Sequence, residues 1–162
     1  MARGLSSREE ELMESVQNAL VSDEERVEWG RLVPVGLLAA LVAAVANAVV
    51  YLVAASAGAM PQEIVVNGQG PITLPVVAAL SAQGAVAATI VYALIDRFAR
   101  RPVRVFRVVA AVVLVLSLVP PFTITGAPIS MILALELMHV IAAVVIVGLL
   151  TTMARRAKPA GA

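Results

Sequence analysis

Residues 131–153 read MILALELMHVIAAVVIVGLLTTM. The run exceeds the roughly 20 residues that an α-helix needs to cross about 30 Å of hydrocarbon, yet it carries Glu136 and His139. A carboxyl group inside a spanning helix costs roughly 2.5–3.5 kcal/mol on insertion scales, so it belongs against protein or a water-filled cavity and not against lipid. Residues three apart share a helix face, so these two can present polar groups to one point. The stretch sets two expectations together, a membrane fold and a polar focus inside it.

The rest of the chain extends the first expectation. Of 162 residues, 60% are hydrophobic, where a soluble domain has about 45–50%. Three further apolar runs precede the first, giving four spans: Leu32 to Ala55, Ile72 to Ile95, Val103 to Val119 and Ile129 to Met153. Pro34 suits a first-turn position, and Pro120-Pro121 ends the third span because proline withholds a donor and clashes with the preceding turn. Arg104 and Arg107 fall near the start of that span and must snorkel to its surface. The expected fold is an all-α four-helix transmembrane bundle over residues 32–153. It is flanked by an acidic amphipathic arm (1–31) and a basic tail (154–162).

Charge gives the orientation. The twelve basic residues lie before span one (Arg3, Arg8, Arg26, Arg31), between spans two and three (Arg97, Arg100, Arg101, Arg104, Arg107), or after span four (Arg155, Arg156, Lys158). The other two loops, 56–71 and 120–128, contain none. The positive-inside rule then places both termini in the cytoplasm, as expected of a multi-pass protein of the plasma membrane. Trp29, Tyr92, Phe98 and Phe106 fall near the inner interface, Tyr51 and Phe122 near the outer one.

The formal net charge of +1 hides a segregation, for residues 1–31 hold eight acids (Glu9, Glu10, Glu11, Glu14, Asp23, Glu24, Glu25, Glu28) against four arginines. Within this arm, Ser6 to Val21 reads as an amphipathic helix with Leu12, Met13, Val16 and Leu20 on one stripe, and a second helical start is expected at Asp23. An acidic leader is the reverse of the basic start of a signal peptide, so span one reads as a permanent anchor. Such a stripe is repelled by an anionic leaflet and calls for a protein surface: its own bundle, a second copy or a partner. A solvated, frayed tail is the alternative, since short helices are marginal alone. Loop 56–71 is expected to be irregular, with a small hairpin or lid over Ile64–Val66 as the alternative, the turn signals being Asn67-Gly68 and Gly70-Pro71.

Several stretches together resemble a known family. They are Ala46-Asn47-Ala48-Val49-Val50-Tyr51, Gly70-Pro71-Ile72-Thr73-Leu74, the inner loop Phe98 to Arg107, Leu116-Ser117-Leu118-Val119-Pro120-Pro121 and Leu137-Met138-His139-Val140. Over residues 30–156 the chain is similar to a bacterial family of four-helix membrane proteins known only as a domain of unknown function. The resemblance implies the topology and supplies no activity.

Chemistry has few carriers. The chain has no cysteine, which removes disulfides, thiolate metal sites and cysteine nucleophiles. Ser81 and Ser117 sit in no nucleophile motif, so no catalytic residue and no enzyme activity are expected. Glu-x-x-His is a ligand motif of di-metal bundles, which use it on two helices with glutamates from two more. Here it occurs once, and no metal or other cofactor is expected. At ~1.5 Å per residue, Asn47, Ser81, Gln83, Glu136 and His139 all lie ~10–16 Å below the outer surface. Two readings follow: interhelical hydrogen bonding, or a ligand-binding or proton-handling site built from Glu136, His139, Asn47, Gln83, Ser81 and Tyr51. Ala40/Ala44/Ala48, Ser81/Ala85 and Gly84/Ala88 allow close helix approach, within the monomer or between copies. Arg97, Arg100, Arg101, Arg104 and Arg107 are candidates for anionic lipid, against a plain topogenic loop.

The function expected is that of an accessory or structural membrane subunit, with a small-ligand or proton-coupled transport element as the alternative and a membrane enzyme as a remote third. The lipid bilayer is one partner, a homo-oligomer or a membrane protein reached through the arm is another, and nucleic acid is none, since the basic residues abut the membrane without a reading motif.

Overall fold

The computed structural model describes residues 8–16, 27–66, 68 and 70–155. Five α-helices appear among them: α1 (residues 8–16), α2 (Trp29–Ser56), α3 (Leu74–Phe98), α4 (Pro102–Ser117) and α5 (Ile129–Met153), with a 3-10 turn at Pro120–Thr123. The last four helices, α4 together with its 3-10 turn, are long and apolar enough to cross a membrane. Large apolar side chains such as Leu37, Leu41, Leu80 and Val144 lie exposed along them, as lipid-facing surface requires.

α2 begins a turn earlier than hydropathy marks. The reason is tertiary. The Val27 N–H donates to Asp96 Oδ1 at 3.0 Å, the Glu28 N–H donates to the Ala154 carbonyl at 2.8 Å, and Val27 forms a bridge with Arg155. The chain is therefore already held when the Glu28 carbonyl accepts from the Arg31 and Leu32 amides. Pro34 consequently sits inside the helix and not in its first turn. α4 starts on Pro102, whose fixed φ suits that position, and is too short alone at about 1.5 Å per residue. The 3-10 turn after Ser117 extends it.

α2 is central and packs on α3 and α5. At Gly36 the approach is so close that an added Cβ would lie 2.6 Å from Thr89 Oγ1. The stripe that meets α3 and α5 includes Gly36, Ala39, Ala40, Ala43 and Asn47, all buried. Small residues thus serve packing inside the chain, while Ala44 and Ala48 are only half-buried. α4 is held at one end, where Pro102, Val103 and Phe106 are its buried residues. There the Phe106 ring packs on Tyr92 with centroids 4.6 Å apart. Both aromatics belong to the core, whereas Trp29 and Phe98 are the exposed interfacial ones.

The starts of α2 and α4 and the ends of α3 and α5 share this basic end. At the opposite end the 57–73 loop contains no strand among its described residues. The loop is nonetheless ordered over the bundle: Met60 is buried, Ile64 and Val66 pack on the apolar cluster around Tyr51, and the Val66 N–H donates to the Gly70 carbonyl at 3.0 Å. Gly68 and Gly70 have positive φ, which glycine tolerates without a steric penalty.

Residues 8–16 form the described part of the arm helix, with Leu12, Met13 and Val16 between 55% and 66% exposed. The own bundle does not cover this stripe. The remainder of the helix expected over 6–21, Leu20 included, and the start at Asp23 lie outside the described residues.

Candidate functional site

The apolar core is divided into two clusters, and polar residues mark the division on each of three helices. On α2, Ala43 belongs to the basic-end cluster and Tyr51 to the opposite one, with Asn47 between them. On α3, Ala85 and Val77 flank Ser81 in the same manner. On α5, Ile146 belongs to the first cluster, with Ala142 packed against it, and Leu135 and Met138 to the second, with His139 between. Positions four apart stay on one helix face, so each helix inserts one polar residue into an otherwise continuous apolar stripe.

A cavity of about 300 Å³ lies at this division, lined by Asn47 of α2, by Ser81 and His139 together with apolar residues of α3 and α5, and by Ile72 of the loop before α3. No residue of α4 lines it. Leu80, on its wall, is 60% exposed, so the cavity reaches the surface of the bundle.

Hydrogen bonding within the cavity wall is ordered by proton count. Ser81 Oγ donates its single proton to the Val77 carbonyl at 2.8 Å. It therefore accepts from Asn47 Nδ2 at 2.9 Å, which fixes the amide's orientation. Asn47 Oδ1 is then left buried without a partner among the described residues. His139 Nδ1 lies 2.7 Å from the Leu135 carbonyl, an acceptor only, so Nδ1 carries the proton and in the neutral ring Nε2 is the acceptor. Tyr51 lies outside the lining, and its hydroxyl donates to the Ile72 carbonyl at 3.3 Å, bracing a wall segment.

Two residues of the expected cluster are elsewhere. Gln83 is exposed; two residues beyond Ser81 it is turned about 200° around α3, so equal depth does not bring it to the same face. Glu136 is absent from the lining. It follows Leu135 by about 100° around α5, off the row formed by Leu135, Met138, His139, Ala142 and Ile146. Both its carboxyl oxygens are buried without a partner among the described residues. An interhelical side-chain bond joins Asn47 to Ser81, and among the described residues none joins Glu136 to His139.

At the basic end Arg97, Arg100, Arg101, Arg104 and Arg107 are all exposed. Arg107 Nη2 approaches Thr151 Oγ1 at 3.4 Å, linking α4 to α5. Sequence reasoning missed Asp96. It is buried beside these arginines and anchors Val27, and its one visible signal is a lone acid closing a span otherwise followed by arginines.

A family model described as a family of unknown function (DUF6069) matches residues 27–156. No curated protein and no solved structure matches the chain.

Proposed function

The chain belongs to that family of unknown function, and on this premise we propose that it is a membrane-embedded binding element which takes a small lipid-soluble molecule into the cavity between α2, α3 and α5. The observation that carries the reading is the cavity itself, whose otherwise apolar lining includes Asn47, Ser81 and His139. A cavity of about 300 Å³ is also at the lower end of the range that holds small ligands.

Gly84 offers the test. It lines the cavity, and an added Cβ there meets nothing within 4 Å, so Gly84→Phe narrows the space without a clash at its base. A lipid-soluble aryl diazirine is expected to label residues 77–84 and 135–146 in the wild type, and to lose that labelling in Gly84→Phe. Labelling spread evenly over lipid-facing residues, with no change in the variant, would remove the reading.

The exposed acidic helix α1 favours a second role beside this one, that of an accessory subunit which engages a partner protein through Leu12, Met13 and Val16. The distribution of basic residues supports placing both termini on the cytoplasmic side of a bacterial plasma membrane. The exposed Arg97–Arg107 group would then face the inner leaflet, where anionic headgroups add about 1 kcal/mol per basic residue.

A further inference from the structure

Helix α1 and the turn between α3 and α4 carry opposite charges that the single chain leaves unused. Residues 8–16 hold Glu9, Glu10, Glu11 and Glu14 against Arg8, and every one of these residues is exposed. The turn carries Arg97, Arg100, Arg101, Arg104 and Arg107, also exposed, while Asp96 beside them is buried. Among the described residues no ion pair uses any of these glutamates or arginines. Apolar area accompanies the charge on both surfaces. Phe98, set among the arginines, is 81% exposed, and Leu12, Met13 and Val16 of α1 are 55–66% exposed. The two surfaces are complementary in charge and alike in offering an apolar face.

Both belong to one side of the membrane. The turn lies at the basic end, as does the start of α2, and the residues 17–26 between α1 and Val27 extend to at most about 35 Å. Copies inserted in the same orientation therefore present their arms and their arginines in one plane. A single copy does not close the pair on itself, since α1 is exposed throughout. Anionic lipid attracts the arginines and repels the glutamates, so it gives the stripe of α1 no cover.

Resting on the partner reading of α1 above, we infer that the partner is a second copy of this chain, whose Arg97–Arg107 turn receives α1. Leu12, Met13 and Val16 then pack toward Phe98, with the glutamates among the arginines. The contact is reciprocal, because a two-fold axis along the membrane normal lets each copy give its arm and take its neighbour's. The apolar stripe supplies the strength, since exposed ion pairs contribute little each. The charges choose the partner and set the register.

A benzophenone amino acid at Ser15, beside the stripe, tests this on the full chain in growing cells. Irradiation is expected to give an adduct of two copies, with residue 15 of one joined to residues 97–107 of the other. Glu10→Lys with Glu14→Lys should lower its yield about tenfold, because like charges then face each other. A differently tagged acceptor copy carrying Arg100→Glu and Arg101→Glu should restore the yield to within about twofold. All four positions are exposed, so these changes leave the bundle folded. An adduct confined to one chain, or one joined to another part of the second copy, would overturn the reciprocal contact. Failure of the charge swap to restore the yield would overturn the pairing of glutamates with arginines. An adduct with a different protein would overturn the second copy as partner and leave the partner reading standing. No adduct at all would overturn the partner reading itself.

Discussion

Asn47 and Glu136 show how differently two buried polar residues can stand in one apolar domain. The amide lines the cavity and is half satisfied, through a serine that has no second proton to give, and its oxygen is buried without a partner among the described residues. The carboxyl has no partner at either oxygen among the described residues, and Glu136 does not line that cavity. Whatever its charge state, a buried polar group without a partner opposes folding by about 1–3 kcal/mol, and replacing it with an apolar group of similar shape relieves that cost. Glu136→Leu is therefore expected to raise the thermal unfolding midpoint in detergent, by an amount corresponding to roughly 1–3 kcal/mol. A lowered midpoint would mean that the carboxyl is held by a partner. Labelling of the cavity by the aryl diazirine should persist in this variant, because Glu136 does not line it.

Among the elements, α2 and α3 approach closely at Gly36 and Thr89. Thr89 is β-branched and donates to the Ala85 carbonyl at 2.7 Å, so its rotamer is held and it cannot swing away from Gly36. A methyl at Gly36 would meet Thr89 Oγ1 at 2.6 Å and Cγ2 at 2.9 Å. Gly36→Ala is expected to destabilise the bundle by about 1–3 kcal/mol, and Thr89→Ala in the same chain should restore most of the loss. Simple additivity of the two changes would show that the helices separate freely instead of being locked there. Helix α1 is the opposite case, with its apolar stripe uncovered. A short helix without tertiary support is marginal in water. Its amides are expected to exchange within seconds in the isolated protein, and to gain protection only when a partner covers Leu12, Met13 and Val16.

For the whole molecule, the basic end is tied and the opposite end is plugged. Asp96, Glu28 and Ala154 join the start of α2 to the ends of α3 and α5, and the 57–73 loop lays Met60 and Ile64 over the far cluster. Which end faces the cytoplasm is proposed from the arginines and can be measured directly, because the chain has no cysteine to interfere with thiol labelling. Glu63 and Arg155 are both exposed. In intact cells, a membrane-impermeant maleimide is expected to label Glu63→Cys and to label Arg155→Cys only after permeabilisation. The reverse pattern would invert the proposed orientation.

Four spans, their approximate ends and the segregation of charge were legible in the residues alone, because the cost of placing a segment in hydrocarbon is close to a sum over its own side chains and needs no knowledge of its neighbours. The depth of Asn47, Ser81 and His139 was legible for the same reason, since rise along a helix is regular. Rotation of each helix about its axis was not. That angle is chosen by packing, and it separated Ser81 from Gln83, left Glu136 off the cavity row, and buried Tyr92 and Phe106 where an interfacial belt was expected. The role of Asp96 and the early start of α2 were likewise decided by tertiary contacts, through hydrogen bonds between residues as far apart as Val27 and Asp96. An apolar helix has nearly equivalent faces for lipid and for protein, so hydropathy states how deep a side chain lies, and only the packed neighbours decide what it faces.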